Sequence, residues 1–300
     1  MSFAIASNVD DALAALAAGA RPVAGGSDLV VAARHGKAPL PDSIVAIDRL
    51  TELAGVSTTA DGIRIGALTT HAVLMTDPTI LVSCTGLADA CALVGSPATR
   101  NVGTIGGNVM NSSPAMDTGA PLLALGARVE LRSAAGTRLV PIGELWTGPG
   151  RNSAAADELC TAILVPGAPD RTGSAYVRLE YRRAMEIAVV GAGAAVTLAA
   201  DGTIERLAVA LTAVAPTIIA VTALDAVAVG RVADEDVLAG IAAIAAEQAS
   251  PISDLRASDH YRRHCVGVMA RRAVEAAVRR AAGEAIPVPV NRAHGIGAAR

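Results

Sequence analysis

Aromatic side chains are scarce in this chain of 300 residues, which has one Trp, one Phe and three Tyr. So few rings cannot furnish the stacking platform of a single-strand nucleic-acid binder. Cysteine is sparse as well, with four residues at positions 84, 91, 160 and 265. No two stand at C-x-x-C spacing and no histidine completes a zinc pattern. The chain therefore cannot by itself hold an iron–sulfur cluster of the usual four-cysteine kind, and no metal site is expected on it. The cysteines read as buried, reduced thiols of a cytoplasmic protein. Charge of either sign is nearly balanced, 25 basic against 28 acidic residues for a net −3. Nothing in that balance draws the chain to nucleic acid or to an anionic membrane. No basic segment precedes an apolar run at the start, so no secretory leader is expected. The longest uncharged run, residues 207–224, is split by Pro216 and reads as strand, turn and helix rather than a membrane span. Two nucleotide-binding signatures are missing: G-x-G-x-x-G after the first strand, and Gly-Lys-Ser/Thr.

What the chain does have is 52 % hydrophobic composition, enough at this length for about two domains. It also has two glycine pairs in polar settings. The first stands in Val23-Ala24-Gly25-Gly26-Ser27-Asp28-Leu29-Val30. The second stands in Thr104-Ile105-Gly106-Gly107-Asn108, followed nine residues later by Asp117. Residues 98–120 are rich in Gly, Ser, Asn and Thr and read as a functional loop between apolar helices. A glycine turn running into a helix offers a row of free amides and a positive dipole end, which suits a phosphate or diphosphate. Gly25-Gly26-Ser27 before a helix over 29–34 meets that condition, although a plain strand-to-helix turn fits equally well. Asp28 would have to turn away from an anion, for example to cap its own helix. Asp117 suits acceptance from a ribose hydroxyl or a heterocycle N–H, and also the N-cap of a helix over 118–125. His71 reads as a capping or surface residue. Gly191 and Gly193 lie inside a strand pattern and read as a bulge or packing site. No nucleophile, base and orienter stand together, so no catalytic side chain is assigned. The arginine pairs at 262–263 and 271–272 share one long helix, as a solvated face or a subunit interface.

Periodicity places strands over 21–24, 43–47, 62–67, 128–132, 138–140 and 158–165, with helices over 9–18, from 70 onward and over 79–93. Residues 168–173 form the best boundary. Beyond it come three strands over 174–181, 188–199 and 204–214, the last two a hairpin at Asp201-Gly202. Helices over 218–227, 234–249 and 258–282 follow, and the Pro/Gly-rich end reads as loose. Strands followed by helices indicate an α+β second domain.

The strings RPVAGGSDLVV, TRNVGTIGGNVMNSSPAMDTGAPLLALGA, GPGR, DELCTAILVP, RRAMEIAVV and PISDLRASDHYRRH resemble the medium, FAD-binding subunit of molybdenum hydroxylases. That family includes the carbon monoxide dehydrogenase flavoprotein and the flavin domain of xanthine dehydrogenase. The resemblance spans residues 2–283. It implies an α+β chain with a two-part FAD-binding domain of the vanillyl-alcohol-oxidase type over 1–168, split near 55–60. It implies a C-terminal three-stranded antiparallel sheet with a helical bundle over 169–283, and a loose tail over 284–300. It implies non-covalent FAD, with Val23, Ala24, Gly25, Gly26, Ser27, Asp28, Leu29 and Val30 at the diphosphate. Thr104, Ile105, Gly106, Gly107 and Asn108 would continue the cradle beside the flavin, Asp117 would bind the adenosine side, and the Cys160 backbone would lie near the adenine. Val94 would be an apolar neighbour of the flavin, and Ile187 would cover its ring. Arg178 falls where the xanthine dehydrogenase branch has a Lys; Arg keeps the charge but cannot give up a proton. The implied partners are a large molybdenum-cofactor subunit and a small subunit with two [2Fe–2S] clusters, as a dimer of heterotrimers. A stand-alone FAD-dependent oxidase or dehydrogenase is the alternative, and a scaffold that binds no FAD a third.

Overall fold

The computed structural model describes residues 2–36 and 38–292. The chain opens with three short parallel strands, β1 (Ser2–Ile5), β2 (Arg21–Val23) and β3 (Ser43–Ala46), in the order β1-β3-β2. Helix α1 (Val9–Ala17) is capped by the Asn8 side chain on the Asp11 amide, and it buries Leu13 and Leu16 against Val45, Ile47 and Leu50. Helix α2 (Ser27–Arg34) follows β2 directly and has no buried residue.

A second sheet is antiparallel, with order β4-β5-β10-β6-β7: β4 (Val56–Thr59), β5 (Gly62–Gly66), β6 (Arg128–Ser133), β7 (Gly136–Pro141) and β10 (Leu159–Pro166). The alternation in Gly62-Ile63-Arg64-Ile65-Gly66 buries both isoleucines on one face, while Arg64 reaches across to Glu130. That face is covered by α3 (His71–Leu74), α4 (Pro78–Ser83), α5 (Thr85–Leu93), α7 (Ile105–Asn111), α8 (Gly119–Ala124) and α9 (Ile142–Leu145), while α6 (Pro97–Val102) buries no residue and packs on α3. A two-stranded ribbon, β8 (Trp146–Gly148) and β9 (Arg151–Asn152), precedes β10. The single helix expected over 79–93 is broken at Cys84. The loop expected over 98–120 carries α6 and α7.

The third sheet joins β11 (Thr172–Leu179), β12 (Val190–Leu198), β13 (Ile204–Thr212) and β14 (Ile219–Val221), all antiparallel and in sequence order. It has four strands rather than three. Residues 219–221, expected to be helical, pair with β13 because their β-branched side chains suit a pleated edge. Short α10 (Asp225–Ala228) and α11 (Glu235–Gln248) follow, then α12 (Asp259–Ala281), which lies along β11 and β12. The sheet is apolar on both faces because α5 and α8 pack on the other side. Gly193 lets β12 meet the Ala120 main chain, where a Cβ would fall 2.7 Å from the Ala120 carbonyl carbon. It is a packing glycine.

Two buried ionic groups tie the layers together. Asp89 of α5 pairs with Arg280 of α12 and also accepts from the amides of Tyr176 and Val290. The segment after α12 is therefore not loose as far as residue 292. Ile286, Val290 and Asn291 are buried, and Asn291 exchanges two hydrogen bonds with the Arg178 main chain. The rest of the expected loose tail, residues 293–300, lies outside the described residues. No described helix is long and apolar enough to cross a membrane.

Candidate functional site

The two glycine bends meet. A Cβ on Gly25 would fall 1.7 Å from the Val102 carbonyl oxygen, so only glycine lets β2 run this close to the end of α6. Gly26 is in the left-handed region (φ 66°) and forms the N-cap of α2 without any side-chain bond. Asp28 does not cap that helix, contrary to expectation. In consequence the amides of Gly25, Gly26, Ser27, Asp28 and Leu29 have no acceptor among the described residues; the first bonded amide is Val30 to Gly26. Burial raises the Asp28 carboxyl above its ordinary value.

The second bend works differently. Thr104 caps α7 by accepting from the Gly107 amide. The Ile105 amide goes to the Thr69 carbonyl, the Gly106 amide to the Ala67 carbonyl and the Asn108 amide to the Thr104 carbonyl. Its amides are thus spent within the protein, and the bend supplies shape instead of an extended row of donors. Gly106 is pressed against Ala67, where a Cβ would lie 2.6 Å from the Ala67 Cβ, whereas Gly107 meets only Thr104 Oγ1, at 3.0 Å. The Asn108 side-chain oxygen, Oδ1, accepts from the Thr118 hydroxyl. Between the bends lies a cleft of about 330 Å³, lined by Ala24, Gly25 and Thr104 together with five residues that sequence reasoning missed, Asp48, Leu68, Thr70, Asn101 and Val102.

His71 stands behind this junction. It is the first residue of α3, and its amide donates to the Gly103 carbonyl, while Thr70 provides the cap. It is neither a capping nor a surface residue, being 1 % exposed, and its Nδ1 has no partner. Burial first, and the nearby Arg100 charge second, lower its pKa to about 4. Cys160 is buried on β10 at a bulge, its thiol pushed up to about 12 chiefly by burial. The next residue, Thr161, accepts the Ala67 amide, and Ala67 in turn accepts the Gly106 amide, so two main-chain hydrogen bonds link Thr161, the neighbour of Cys160, to Gly106.

A second cluster gathers Asp117, Tyr176, Arg178 and Glu180. One Asp117 oxygen accepts from the Tyr176 hydroxyl at 2.8 Å and the other from Arg178 Nη1 at 2.7 Å. Arg178 Nε donates to Glu180 at 2.8 Å, and its Nη2 has no partner. Gly191 makes room for the Tyr176 ring, since a Cβ there would fall 2.4 Å from the hydroxyl oxygen. Burial opposes the Arg178 charge, but Asp117, Tyr176 and Glu180 outweigh it and raise its pKa. Arg178, which keeps the charge at the position of the family's Lys, has its guanidinium wholly buried and bracketed by two carboxylates. Tyr176, Arg178 and Glu180 alternate along β11 and its end, and that polar spacing in an apolar strand was a readable signal.

Val94 and Ile187, 93 residues apart, come into one neighbourhood. Val94 ends α5 and its carbonyl accepts from Arg100 Nη1 at 2.8 Å. The loop bearing Ile187 is held down by the Met185 amide on the Gly95 carbonyl and by the Thr99 hydroxyl on the Met185 sulfur. Ile187 itself is exposed. Among the described residues no group of His, Cys, Asp and Glu could hold a metal ion, and all four cysteines are free and buried.

Comparison with known proteins places these features in a family. Residues 1–168 match the FAD binding domain in molybdopterin dehydrogenase, and residues 175–277 match the CO dehydrogenase flavoprotein C-terminal domain. A putative xanthine dehydrogenase FAD-binding subunit of Escherichia coli is 33 % identical over 267 residues, covering 88 % of this chain and 91 % of the relative. The carbon monoxide dehydrogenase medium chain of Afipia carboxidovorans is 32 % identical, covering 87 % and 90 %. Among solved structures, reconstituted CO dehydrogenase from Oligotropha carboxidovorans superposes with a TM-score of 0.89 at 30 % identity, covering 93 % of this chain and 98 % of that one.

Proposed function

Because this chain belongs to the family of FAD-binding medium subunits of molybdenum hydroxylases, an FAD-dependent class of oxidoreductase, we propose that it carries electrons between partner subunits and an external acceptor. The observation that supports this best is the row of free amides at the start of α2, set where the two glycine bends touch. Five unpartnered donors at a helix N-terminus accommodate a diphosphate without any lysine. The residues present fit FAD: amides from 25–29 hold the diphosphate, with Val23, Ala24 and Val30 flanking them. Thr104, Ile105, Gly106, Gly107 and Asn108 shape the opposite wall, and the Cys160 main chain backs it.

Asp117 accepts from a ligand hydroxyl or ring N–H with the lone pairs left free by Tyr176 and Arg178. Both partners fix its carboxylate, so it is oriented before the ligand arrives. Val94 and Ile187 flank the ring and exclude water from it. Bound FAD supplies the redox chemistry; the chain supplies position and electrostatics. In this reading electrons arrive from [2Fe–2S] clusters on a small partner, after substrate oxidation at a molybdenum cofactor on a large one, in a cytoplasmic dimer of heterotrimers. The reading also divides the chain into units over 1–168, two-part with a split near 55–60, and 169–283; the separate domain matches over 1–168 and 175–277 support the main division.

Affinity purification from the native host tests this. The expected result is a yellow complex with one FAD per chain, two further subunits and an iron–sulfur spectrum. A lone yellow protein that itself turns over a small substrate refutes electron transfer. A colourless protein that takes up no added FAD refutes the cofactor assignment.

A further inference from the structure

Two clusters of the candidate site are joined by a residue that neither expectation nor family resemblance singled out. Arg100 lies on α6, half-buried, one residue before the cleft-lining pair Asn101 and Val102. Its Nη1 donates to the Val94 carbonyl. Its Nε and Nη2 have no acceptor among the described residues, yet they are not sealed off from solvent. No carboxylate among the described residues pairs with it. Burial first, then the Arg178 and Arg292 charges, lower its pKa. It is also close enough to His71 to help lower that pKa in turn.

Arg178 is the contrasting case. Two carboxylates hold it at 2.7 and 2.8 Å, so the group as a whole presents no positive charge outward. Arg100 keeps its full charge and three unspent N–H bonds, counting Nε and Nη2. A half-buried guanidinium with no carboxylate bonded to it is an arrangement that an electron-rich ligand group relieves.

We infer that Arg100, and not Arg178, is the cation that faces the electron-rich side of the bound flavin ring. The inference rests on the reading above, in which the ring lies beside Val94 and Ile187. Reduction brings two electrons and one proton into the isoalloxazine and leaves it with one negative charge. A guanidinium with free donors beside the ring stabilises that anion more than the neutral oxidised ring, so it raises the reduction potential. Arg178, already compensated, contributes little to this difference.

The test is the midpoint potential of the FAD-loaded full chain, titrated with an electrode and mediator dyes as the electron source. Arg100→Gln is expected to weaken the preference for reduced over oxidised flavin about tenfold, a midpoint about 30 mV more negative for a two-electron couple. Arg100→Lys keeps the charge and is expected to stay within twofold of the parent. Arg100→Met, which retains the aliphatic stem, replaces the glutamine variant if that one does not fold. An FAD-loaded glutamine or methionine variant with an unchanged or more positive midpoint overturns the Arg100 assignment while leaving the cofactor assignment intact. A lysine variant that shifts as far as the glutamine one overturns it as well, because charge would not be the cause. A parent protein that never retains FAD removes the reading on which the inference stands.

Discussion

Acidification offers a sharp test of the junction between the two glycine bends, because one buried histidine responds to it. His71 has a pKa of about 4 in the folded chain against an ordinary value of 6.5. Above pH 6.5 the ring is neutral in both folded and unfolded states, and it contributes no pH dependence. As pH falls through 6.5 the unfolded chain binds a proton that the folded chain refuses, so stability declines. The decline stops near pH 4, where the folded form also takes the proton. A gap of about 2.5 pH units at 1.36 kcal/mol each gives a loss of about 3 kcal/mol. His71→Leu removes the titrating group and also the orphaned Nδ1, so at neutral pH it is expected to be as stable as the parent or slightly more so. The assay is urea unfolding of both proteins at intervals from pH 7.5 to 4. Carboxylates with lowered pKa, such as Glu130 and Glu158, also lose stability as pH falls, but they are common to both chains and cancel in the difference. The parent-minus-variant stability should move by about 3 kcal/mol in favour of the variant across that range. Parallel pH profiles would refute the burial argument. Since the His71 amide holds the Gly103 carbonyl, FAD affinity is expected to fall in the same window for the parent and not for the variant.

The two glycines of the second bend should part company on substitution. Gly106→Ala forces a methyl against Ala67 and is expected to cost about 1–3 kcal/mol in thermal or urea unfolding, whereas Gly107→Ala should be neutral or stabilising by up to about 1 kcal/mol through helix propensity; equal effects would show that the close packing at Gly106 is wrong. Gly25→Ala drives a methyl into the Val102 carbonyl, and equilibrium dialysis should find FAD retention lost; full retention would mean that the bends do not meet as described. Asp89→Ala leaves Arg280 buried without its acid and strands the amides of Tyr176 and Val290, with an expected cost of about 3–5 kcal/mol in urea unfolding. A loss below about 1 kcal/mol would place that pair on the surface instead.

Much of the fold could be read from local pattern, and the departures have physical causes. Asn8 capping α1, the alternation in β5 and the hairpin at Asp201-Gly202 all depend on residues within a few positions of one another. The helices at 97–111 were also signalled, by Ser96 before Pro97 and by Thr104 at α7, yet the glycine content pointed to a loop. Glycine lowers helix propensity by about 1 kcal/mol per residue. Here that deficit is offset by the packing of Gly106 on Ala67, which no local window contains. Residues 219–221 illustrate the reverse case: their β-branched character favoured a strand, and the uncharged run around them obscured it. Distance in sequence hid the rest. Arg178 meets Asp117 from 61 positions away, and Asn291 meets Arg178 from 113. Neither contact has any period to reveal it. The sequence placed Asp117 and Arg178 near one ligand, but it could not show that each neutralises the other.

That mutual neutralisation changes how the site must work. The glycine bend at 25–26 offers donors with no net charge, while the bend at 103–107 consumes its own donors to hold shape. Asp117, Arg178 and Glu180 together carry a net negative charge, whereas Arg100 keeps a positive one. A ligand lying across both clusters therefore meets dipoles at its anionic end, a fixed acceptor at Asp117 and an uncompensated cation at Arg100. Amides and a helix dipole bind an anion whether or not electrons arrive, since the diphosphate charge does not change. Only a cation near the ring discriminates between oxidation states. If the proposed site is right, binding strength and redox tuning fall to different residues: Gly25→Ala is expected to abolish retention and Arg100→Gln to leave retention in place while moving the midpoint.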